Sequence, residues 1–248
     1  MNMSLLSTTG SRLAALAARP VMEPKCLAGV RVYFASLDAC AARELELLGL
    51  LNVEEQERAM RIGHRARRSA FIASRSLLRE ALSEYSGHAV GRYEWQFGTT
   101  THGKLFVAAP TDVGLRFSVA YTANMLVIAV SQKFELGVDI EALPPEAEGE
   151  VPWHVLTAAE RRQVHALPAG EQYLEFLRLW TLKEAYTKYF GLGASLDFRG
   201  VEIDLDGVEA TAPAMERNAR LDDPLLMQQL LTIDGRQVLF ALAGGKVL

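Results

Sequence analysis

The sequence has 248 residues, of which 50% are hydrophobic and 23% are charged, and its formal net charge is −4. A chain of this length and composition buries a sizeable core, which excludes a disordered or fibrous protein. The mildly acidic balance excludes a surface that attracts nucleic acid as a whole, so an anionic ligand needs a local basic patch.

Residues 1–27 are predicted to be a lead-in segment before the folded part of the chain. They contain Ser, Thr and Ala but no basic stretch ahead of an apolar core, which argues against a signal peptide. No apolar run in the chain approaches the roughly 20 residues that cross a bilayer. We therefore expect a cytoplasmic protein with no membrane segment and no nucleic-acid partner.

The chain from residue 28 to residue 133 is predicted to contain helices and short antiparallel strands. A strand is predicted at 29–37, where alternate residues are apolar, and helices at 53–61 and 69–86, where apolar residues recur every three or four positions. Gly, Pro, Asp and Asn separate the strand candidates that follow, as in hairpins. These candidates are Tyr93–Phe97, Leu105–Ala108, Leu115–Tyr121 and Met125–Ser131.

A dense run of arginines lies between and along the two predicted helices. Its members are Arg58, Arg61, Arg65, Arg67, Arg68, Arg75 and Arg79. Guanidinium groups suit phosphate oxygens, so the run is interpreted either as a phosphate-binding patch or as an ordinary solvated helix face.

The second half of the chain begins with the sequence GVDIE. Val138 and Ile140 alternate with Asp139 and Glu141, so a strand there places both carboxylates on one side. Taken alone, this pattern is also that of an amphipathic edge strand.

A linker at 142–152 is followed by a predicted helix that starts at Thr157, where Thr157 and Glu160 have the spacing of a capping box. Later strands are predicted at 200–206 and 237–243, with a hairpin turn at Asp234-Gly235.

The long helix before Gly191 has two different faces. One apolar stripe consists of Phe176, Leu179, Leu182, Tyr186 and Phe190. Trp180, Glu184 and Lys188 share another stripe, and the tryptophan indicates that this charged face is also covered. Gly191 and Gly193 are predicted to end the helix.

The strand and the helix together offer three carboxylates, from Asp139, Glu141 and Glu184, with Lys183 and Lys188 beside the third. Mg²⁺ prefers two or three carboxylate ligands that are completed by water and phosphate oxygens. Lysines beside such a site suit an anionic phosphate substrate. The residues alone therefore predict a Mg²⁺ site and leave open which phosphate chemistry it serves.

The two halves of the sequence echo each other. Leu78–Ala81 reads LREA where Leu182–Ala185 reads LKEA, and other weak matches follow in the same order. We predict an α+β fold of two pseudo-symmetric halves, 28–133 and 134–248, each a long helix packed on a small antiparallel sheet. The site would lie at their junction. A chain that holds both halves can build that site alone, so we predict a monomer.

GVDIE at 137–141, followed by WTLKEAYTKYFGLG at 180–193, resembles the two signature motifs of the Sfp-type 4′-phosphopantetheinyl transferases. The resemblance covers roughly residues 53 to 203. It implies transfer of phosphopantetheine from coenzyme A, bound between the halves, to a serine of an acyl or peptidyl carrier protein, with release of 3′,5′-ADP. It leaves open whether the carrier serves fatty-acid, polyketide or nonribosomal-peptide biosynthesis.

The resemblance also implies roles for single residues. Asp139, Glu141 and Glu184 would bind Mg²⁺ against the pyrophosphate of coenzyme A. Glu184, or a water beside it, would take the proton of the carrier serine. Lys188 would stabilise the leaving phosphate or the transition state, and Lys183 would reach a phosphate or remain exposed.

Further coenzyme A contacts are implied in the first half. The stretch from His102 to Leu105 resembles the family's G-K-P motif, with leucine in place of proline, so Gly103 and Lys104 are candidate ligands of the nucleotide. Arg75 stands where the family often has an arginine, and Arg58 is a further phosphate candidate.

One departure from the family pattern concerns the family's F-N-x-S-H-S. Phe117–Thr122 is the matching stretch, in which Ala120 and Tyr121 replace the serine and the histidine. A tyrosine hydroxyl donates one hydrogen bond but carries no positive charge, so we expect a weaker phosphate contact at Tyr121. Two alternatives follow: a coenzyme A- or carrier-binding homologue with weakened catalysis, or another Mg²⁺-dependent phosphotransferase or phosphohydrolase.

Overall fold

The computed structural model describes residues 22–122, 124–144, 149–192, 197–205, 209–211 and 221–247. Helices and antiparallel sheets are both present, which confirms the α+β class. Within these ranges no helix combines the length and the apolar character that crossing a bilayer requires.

The elements of the first half lie close to the predicted positions. The helices are α1 Leu37–Ala41, α2 Glu44–Leu48, α3 Val53–Arg61 and α4 Arg65–Tyr85. The strands are β1 Val30–Ser36, β2 Gln96–Thr99, β3 Leu105–Ala109, β4 Arg116–Tyr121 and β5 Met125–Ser131. Helix α4 begins earlier than predicted because the His64 side chain accepts a hydrogen bond from the Arg67 N–H and caps the first turn.

The second half has the same order of elements as the first: one strand, then helices, then further strands. Its elements are β6 Glu135–Ala142, α5 Ala158–His165, α6 Ala169–Phe190, β7 Glu202–Asp204, β8 Glu209–Thr211, β9 Leu225–Ile233 and β10 Arg236–Gly245. Both bonds of the Thr157–Glu160 capping box are present. Asp234 and Gly235 have φ angles of 51° and 74° and form the predicted turn between β9 and β10.

Strand order is equivalent in the two main sheets. The first sheet runs β1-β5-β4 and the second β6-β10-β9, all with antiparallel pairing. In each case the last strand of the half lies between the first strand and the strand before it. Helix α4 packs on the first sheet and α6 on the second.

The two sheets face each other across a shared apolar core. Val32 and Val127 of the first sheet meet Val138, Ile140 and Phe240 of the second in this layer. The order of layers is therefore α4, first sheet, second sheet, α6. Because Val138 and Ile140 point into the shared core, the neighbouring carboxylates of β6 point the other way, as predicted.

Gly137 sets the distance between α6 and β6. A Cβ atom at this position would lie 1.9 Å from the Ala185 carbonyl oxygen and 2.4 Å from the Tyr189 nitrogen. Only glycine admits the helix this close. The contact holds the Trp180 to Lys188 face of α6 beside the carboxylates of β6.

The long helix ends at Gly191, as predicted. Gly191 has a φ of 70°, in the left-handed region, and its N–H bonds back to the last turn. The second predicted terminator, Gly193, lies outside the described residues, as does most of the predicted lead-in, of which only 22–27 are described.

Candidate active site

Strand β6 and helix α6 bring three of the predicted carboxylates to one place. Lys188 Nζ lies 2.6 Å from Asp139 Oδ1 and 3.9 Å from Glu184 Oε2. Trp180 Nε1 donates a hydrogen bond of 3.1 Å to Glu141 Oε1. Asp139 and Glu141 of β6 are therefore joined to Lys188 and Trp180, which are two turns apart on α6.

Burial raises the pKa of each carboxyl group, and repulsion from neighbouring carboxylates adds to the shift at Glu141 and Glu184. Burial is the largest cause for the raised pKa of Asp139, which Lys188 opposes. Burial, followed by the charge of Asp139, raises the pKa of Glu141 to about 7. Burial also raises the pKa of Glu184. One ammonium thus does not compensate three carboxylates in a half-buried site.

The donor set suits a hard divalent cation. Asp139 is only 6% exposed, and its Oδ2 is buried without a hydrogen-bond partner. Carboxylate oxygens are the ligands that Mg²⁺ prefers. In the described part of the chain, however, no three acidic, histidine or cysteine side chains are gathered tightly enough to form a ready metal cage. The residues fit the ion in type, while the Lys188 ammonium lies between two of them.

A cleft opens next to Lys188, between residues of 28–133 and the end of α6. Its walls are the turn between β2 and β3, the middle of β4 and the end of α6. The residues that line it are His102, Gly103, Lys104, Leu105, Phe117, Ser118, Val119, Lys188 and Gly191. Lys188 is therefore shared by the cleft and the carboxylate cluster.

Gly103 lines this cleft but Lys104 does not offer a free cation there. The Lys104 ammonium donates hydrogen bonds to the carbonyls of Leu136 and Tyr189, at 3.0 and 2.9 Å, and pairs with Glu135 at 2.5 Å. Burial lowers its pKa. Lys104 lines the cleft, and its ammonium joins the turn before β3 to the end of α6; contact with a nucleotide stays a prediction.

Lys183, which was predicted to reach a phosphate or to remain exposed, is buried and points away from the site. Its side chain is fully buried, pairs with Glu160 at 2.6 Å and donates to the carbonyls of Val155 and Phe198. Adjacent helix residues differ by about 100° in direction, so Lys183 enters the core while Glu184 faces β6. This prediction is corrected: the lysine joins α6 to α5 and to the segment around Phe198.

The arginine run divides into buried and exposed members. Arg75 is 8% exposed, with its guanidinium over Phe71 and Phe97, and Arg79 is buried against Glu55 at 2.6 Å. Arg58 is exposed, and its guanidinium also lies over the Phe71 ring. Neither Arg58 nor Arg75 is among the residues that line the cleft, although Arg75 Nη1 is buried without a partner.

Tyr121 is 53% exposed at the end of β4 and is also not among the residues that line the cleft.

Two contacts were missed from the sequence. Trp180 was predicted only to mark a covered face of α6, yet its N–H donates a hydrogen bond to Glu141. Ser118 accepts a hydrogen bond of 3.0 Å from the Val138 N–H and so joins β4 to β6. The charged stripe of α6 carried a signal for the first contact; nothing in the sequence marks the second.

Residues 135–233 match the model of the 4′-phosphopantetheinyl transferase superfamily. A 4′-phosphopantetheinyl transferase of Paxillus involutus, pptA, is 35% identical over 52% of this chain and 56% of its own length. The transferase HetI of Nostoc is 29% identical over 75% of this chain and 79% of its own. Sfp of Bacillus subtilis is 24% identical over 64% of this chain and 70% of its own length.

The match to the Paxillus protein thus spans little more than half of that relative, whereas the matches to HetI and Sfp span most of each protein. The family-model match includes β6 and α6, the two elements that carry the carboxylate cluster. Together these matches confirm the resemblance indicated by the two motifs: the part of the chain that contains β6 and α6 is similar to the 4′-phosphopantetheinyl transferases.

Proposed function

We propose that this protein transfers the 4′-phosphopantetheine group of coenzyme A to a serine of an apo carrier protein and releases 3′,5′-ADP. One observation carries the proposal: β6 and α6, which hold the two family motifs, bring Asp139, Glu141, Glu184 and Lys188 together at the edge of a cleft. The names of the relatives support the reaction class.

Asp139, Glu141 and Glu184 would hold a Mg²⁺ ion. When bound, the ion offsets negative charge on the pyrophosphate that is cleaved. The hydrogen bond from Trp180 orients Glu141 within this set.

Glu184 is the candidate base for the carrier serine. Burial raises its pKa, and a base works best when its pKa approaches the pH of the reaction. Lys188 is one turn further along α6 and lines the cleft, so its ammonium can stabilise charge on the phosphate oxygens.

Coenzyme A would occupy the cleft between the halves, with Gly103 against the nucleotide. The equal strand order of the two sheets supports the interpretation that the halves are related by duplication and that the ligand binds where they meet. No described contact favours a binding-only homologue, and the replacement at Tyr121 leaves the cluster intact.

The test is to incubate the protein with coenzyme A, Mg²⁺ and an apo carrier protein and to measure the mass of the carrier. We expect a gain of one phosphopantetheine, abolished by a chelator and lowered by about 100-fold or more in Glu184→Gln. Glu171→Gln, an exposed glutamate of the same helix, is the matched control and should retain the rate.

Two outcomes would contradict the proposal. No mass gain with carriers of fatty-acid, polyketide and nonribosomal-peptide type would exclude the transferase. Breakdown of coenzyme A without any carrier would instead indicate a Mg²⁺-dependent phosphohydrolase.

A further inference from the structure

The ammonium of Lys188 supplies positive charge to the carboxylate cluster, where a metal cation would otherwise do so. It lies 2.6 Å from Asp139 and 3.9 Å from Glu184, and 30% of its side chain is exposed. Among the ion pairs of the described residues, no other lysine or arginine reaches these two carboxylates or Glu141. Lys188 is therefore the resident counter-ion of the cluster.

This compensation is incomplete. Three carboxylates face one ammonium, and the second oxygen of Asp139 is buried with no hydrogen-bond partner. A buried carboxylate oxygen that lacks a partner is costly unless another group satisfies it. The cluster can thus accept more positive charge, but one oxygen of Asp139 is already occupied by Lys188.

The Lys188 side chain also borders the cleft, so its ammonium can turn from the carboxylates toward a ligand there. The residue lines the cleft together with the turn at His102 and Gly103, where the proposed function places a phosphate-bearing ligand. A lysine ammonium is a point charge on a flexible stem and moves readily between anionic partners.

We propose that the Lys188 ammonium competes with a divalent cation for Asp139, and that a phosphate in the cleft draws it away, so that metal and phosphate ligand assist each other's binding. The inference rests on the proposed function for the identity of the phosphate ligand, but its first half concerns the protein and the metal alone. By linkage, each ligand tightens the other by the same factor.

The first test measures Mn²⁺ binding by electron paramagnetic resonance with no coenzyme A and no carrier. Lys188→Gln removes the competing charge, so we expect its Mn²⁺ affinity to rise about tenfold over the native protein, a change of about 1.4 kcal/mol in binding free energy. Lys133→Gln removes one exposed lysine outside the cluster and should bind Mn²⁺ as the native protein does. Asp139→Asn should lose binding.

An affinity in Lys188→Gln equal to or below that of the native protein, with the native circular dichroism spectrum, would overturn the competition. Lys188→Met repeats the measurement with a side chain that has no amide oxygen to bind the metal, and it must agree with Lys188→Gln if charge is the cause. Carrier modification is assayed separately: tighter Mn²⁺ binding without any modification would reject the transferase and leave the competition standing.

The second test repeats the titration with adenosine 3′,5′-bisphosphate, which has isolated phosphates and no pyrophosphate that could chelate the metal by itself. In the native protein we expect the nucleotide to tighten Mn²⁺ binding about fivefold or more. In Lys188→Gln we expect no such tightening. Equal coupling in the two proteins would show that the phosphate does not act through Lys188 and would overturn the second half of the inference.

Discussion

At the scale of single residues, a glycine decides whether the cluster forms. Asp139 and Glu141 can meet Glu184 and Lys188 only because α6 lies directly on β6, and Gly137 is the point of closest approach. A side chain there would push against helix backbone, which cannot rotate away as a side chain can.

Gly137→Ala is therefore expected to destabilise the protein by about 1–3 kcal/mol, the usual cost of overpacking a core. Urea unfolding measures the change. Gly170→Ala is the control, because Gly170 lies in α6 with nothing within 4 Å of an added Cβ. It should be neutral or stabilising by up to about 1 kcal/mol. Equal effects of the two substitutions would show that Gly137 does not set the spacing.

At the scale of elements, adjacent residues of α6 have different functions: one faces the site and the other stabilises the core. Glu184 faces β6 and the site, whereas Lys183 faces the interior and binds Glu160. Glu160 in turn accepts hydrogen bonds from the N–H groups of Thr157 and Ile203. The buried pair thus fixes α6 to α5 and to β7.

Lys183→Met leaves the Glu160 carboxylate buried without its cation and should cost about 3–5 kcal/mol of stability. Thermal unfolding checks this value. Adding Glu160→Gln should recover part of the loss, because the uncompensated charge is gone. Arg61→Met, which breaks a pair whose members are 72% and 64% exposed, should cost at most about 1 kcal/mol. A Lys183→Met protein as stable as Arg61→Met would refute the structural role.

Much of this arrangement was predictable, because it depends on periodicity within one segment. The alternation of Val138 and Ile140 with the carboxylates placed β6, and the spacing of Trp180, Glu184 and Lys188 placed the site face of α6. A strand or helix turns its side chains by a fixed angle, so such faces follow from the sequence.

The partners of single charged groups were not predictable, because they come from distant segments. Nothing near Lys183 in the sequence indicates that Glu160 will meet it in the core. Nor does the turn at Lys104 show that Glu135 and two carbonyls will take up its charge. Motif resemblance suggested a ligand role for both lysines because it records residue type and order but not contacts.

At the scale of the whole molecule, the halves are joined at more than one level. Apolar side chains of both sheets form the central layer, and Ser118 connects β4 to β6. Lys104 adds a polar connection, from the β2–β3 turn to the end of α6. The wall of the cleft is therefore fixed by contacts that cross between the halves.

Lys104→Met should lower stability by about 1–3 kcal/mol, since Glu135 keeps only Arg116, at 3.5 Å, and two carbonyls lose their donor. Urea unfolding measures this, with Lys133→Met at an exposed site as control. Binding of adenosine 3′,5′-bisphosphate distinguishes a structural role of Lys104 from a role as a ligand of the nucleotide. Native stability with weakened nucleotide binding would show that the Lys104 charge is a ligand after all.

The position of β10 in the second sheet has a consequence for synthesis on the ribosome. Strand β6, with two of the site carboxylates, forms its sheet hydrogen bonds with β10, yet β6 ends at Ala142 and β10 begins only at Arg236. In the first sheet, the central strand β5 is complete at Ser131. Since domains fold as the chain emerges, the hydrogen bonds of the first sheet can form before β6 has its partner strand. A nascent chain stalled before Arg236 should therefore lack the strand that pairs with β6, and with it the assembled carboxylate cluster.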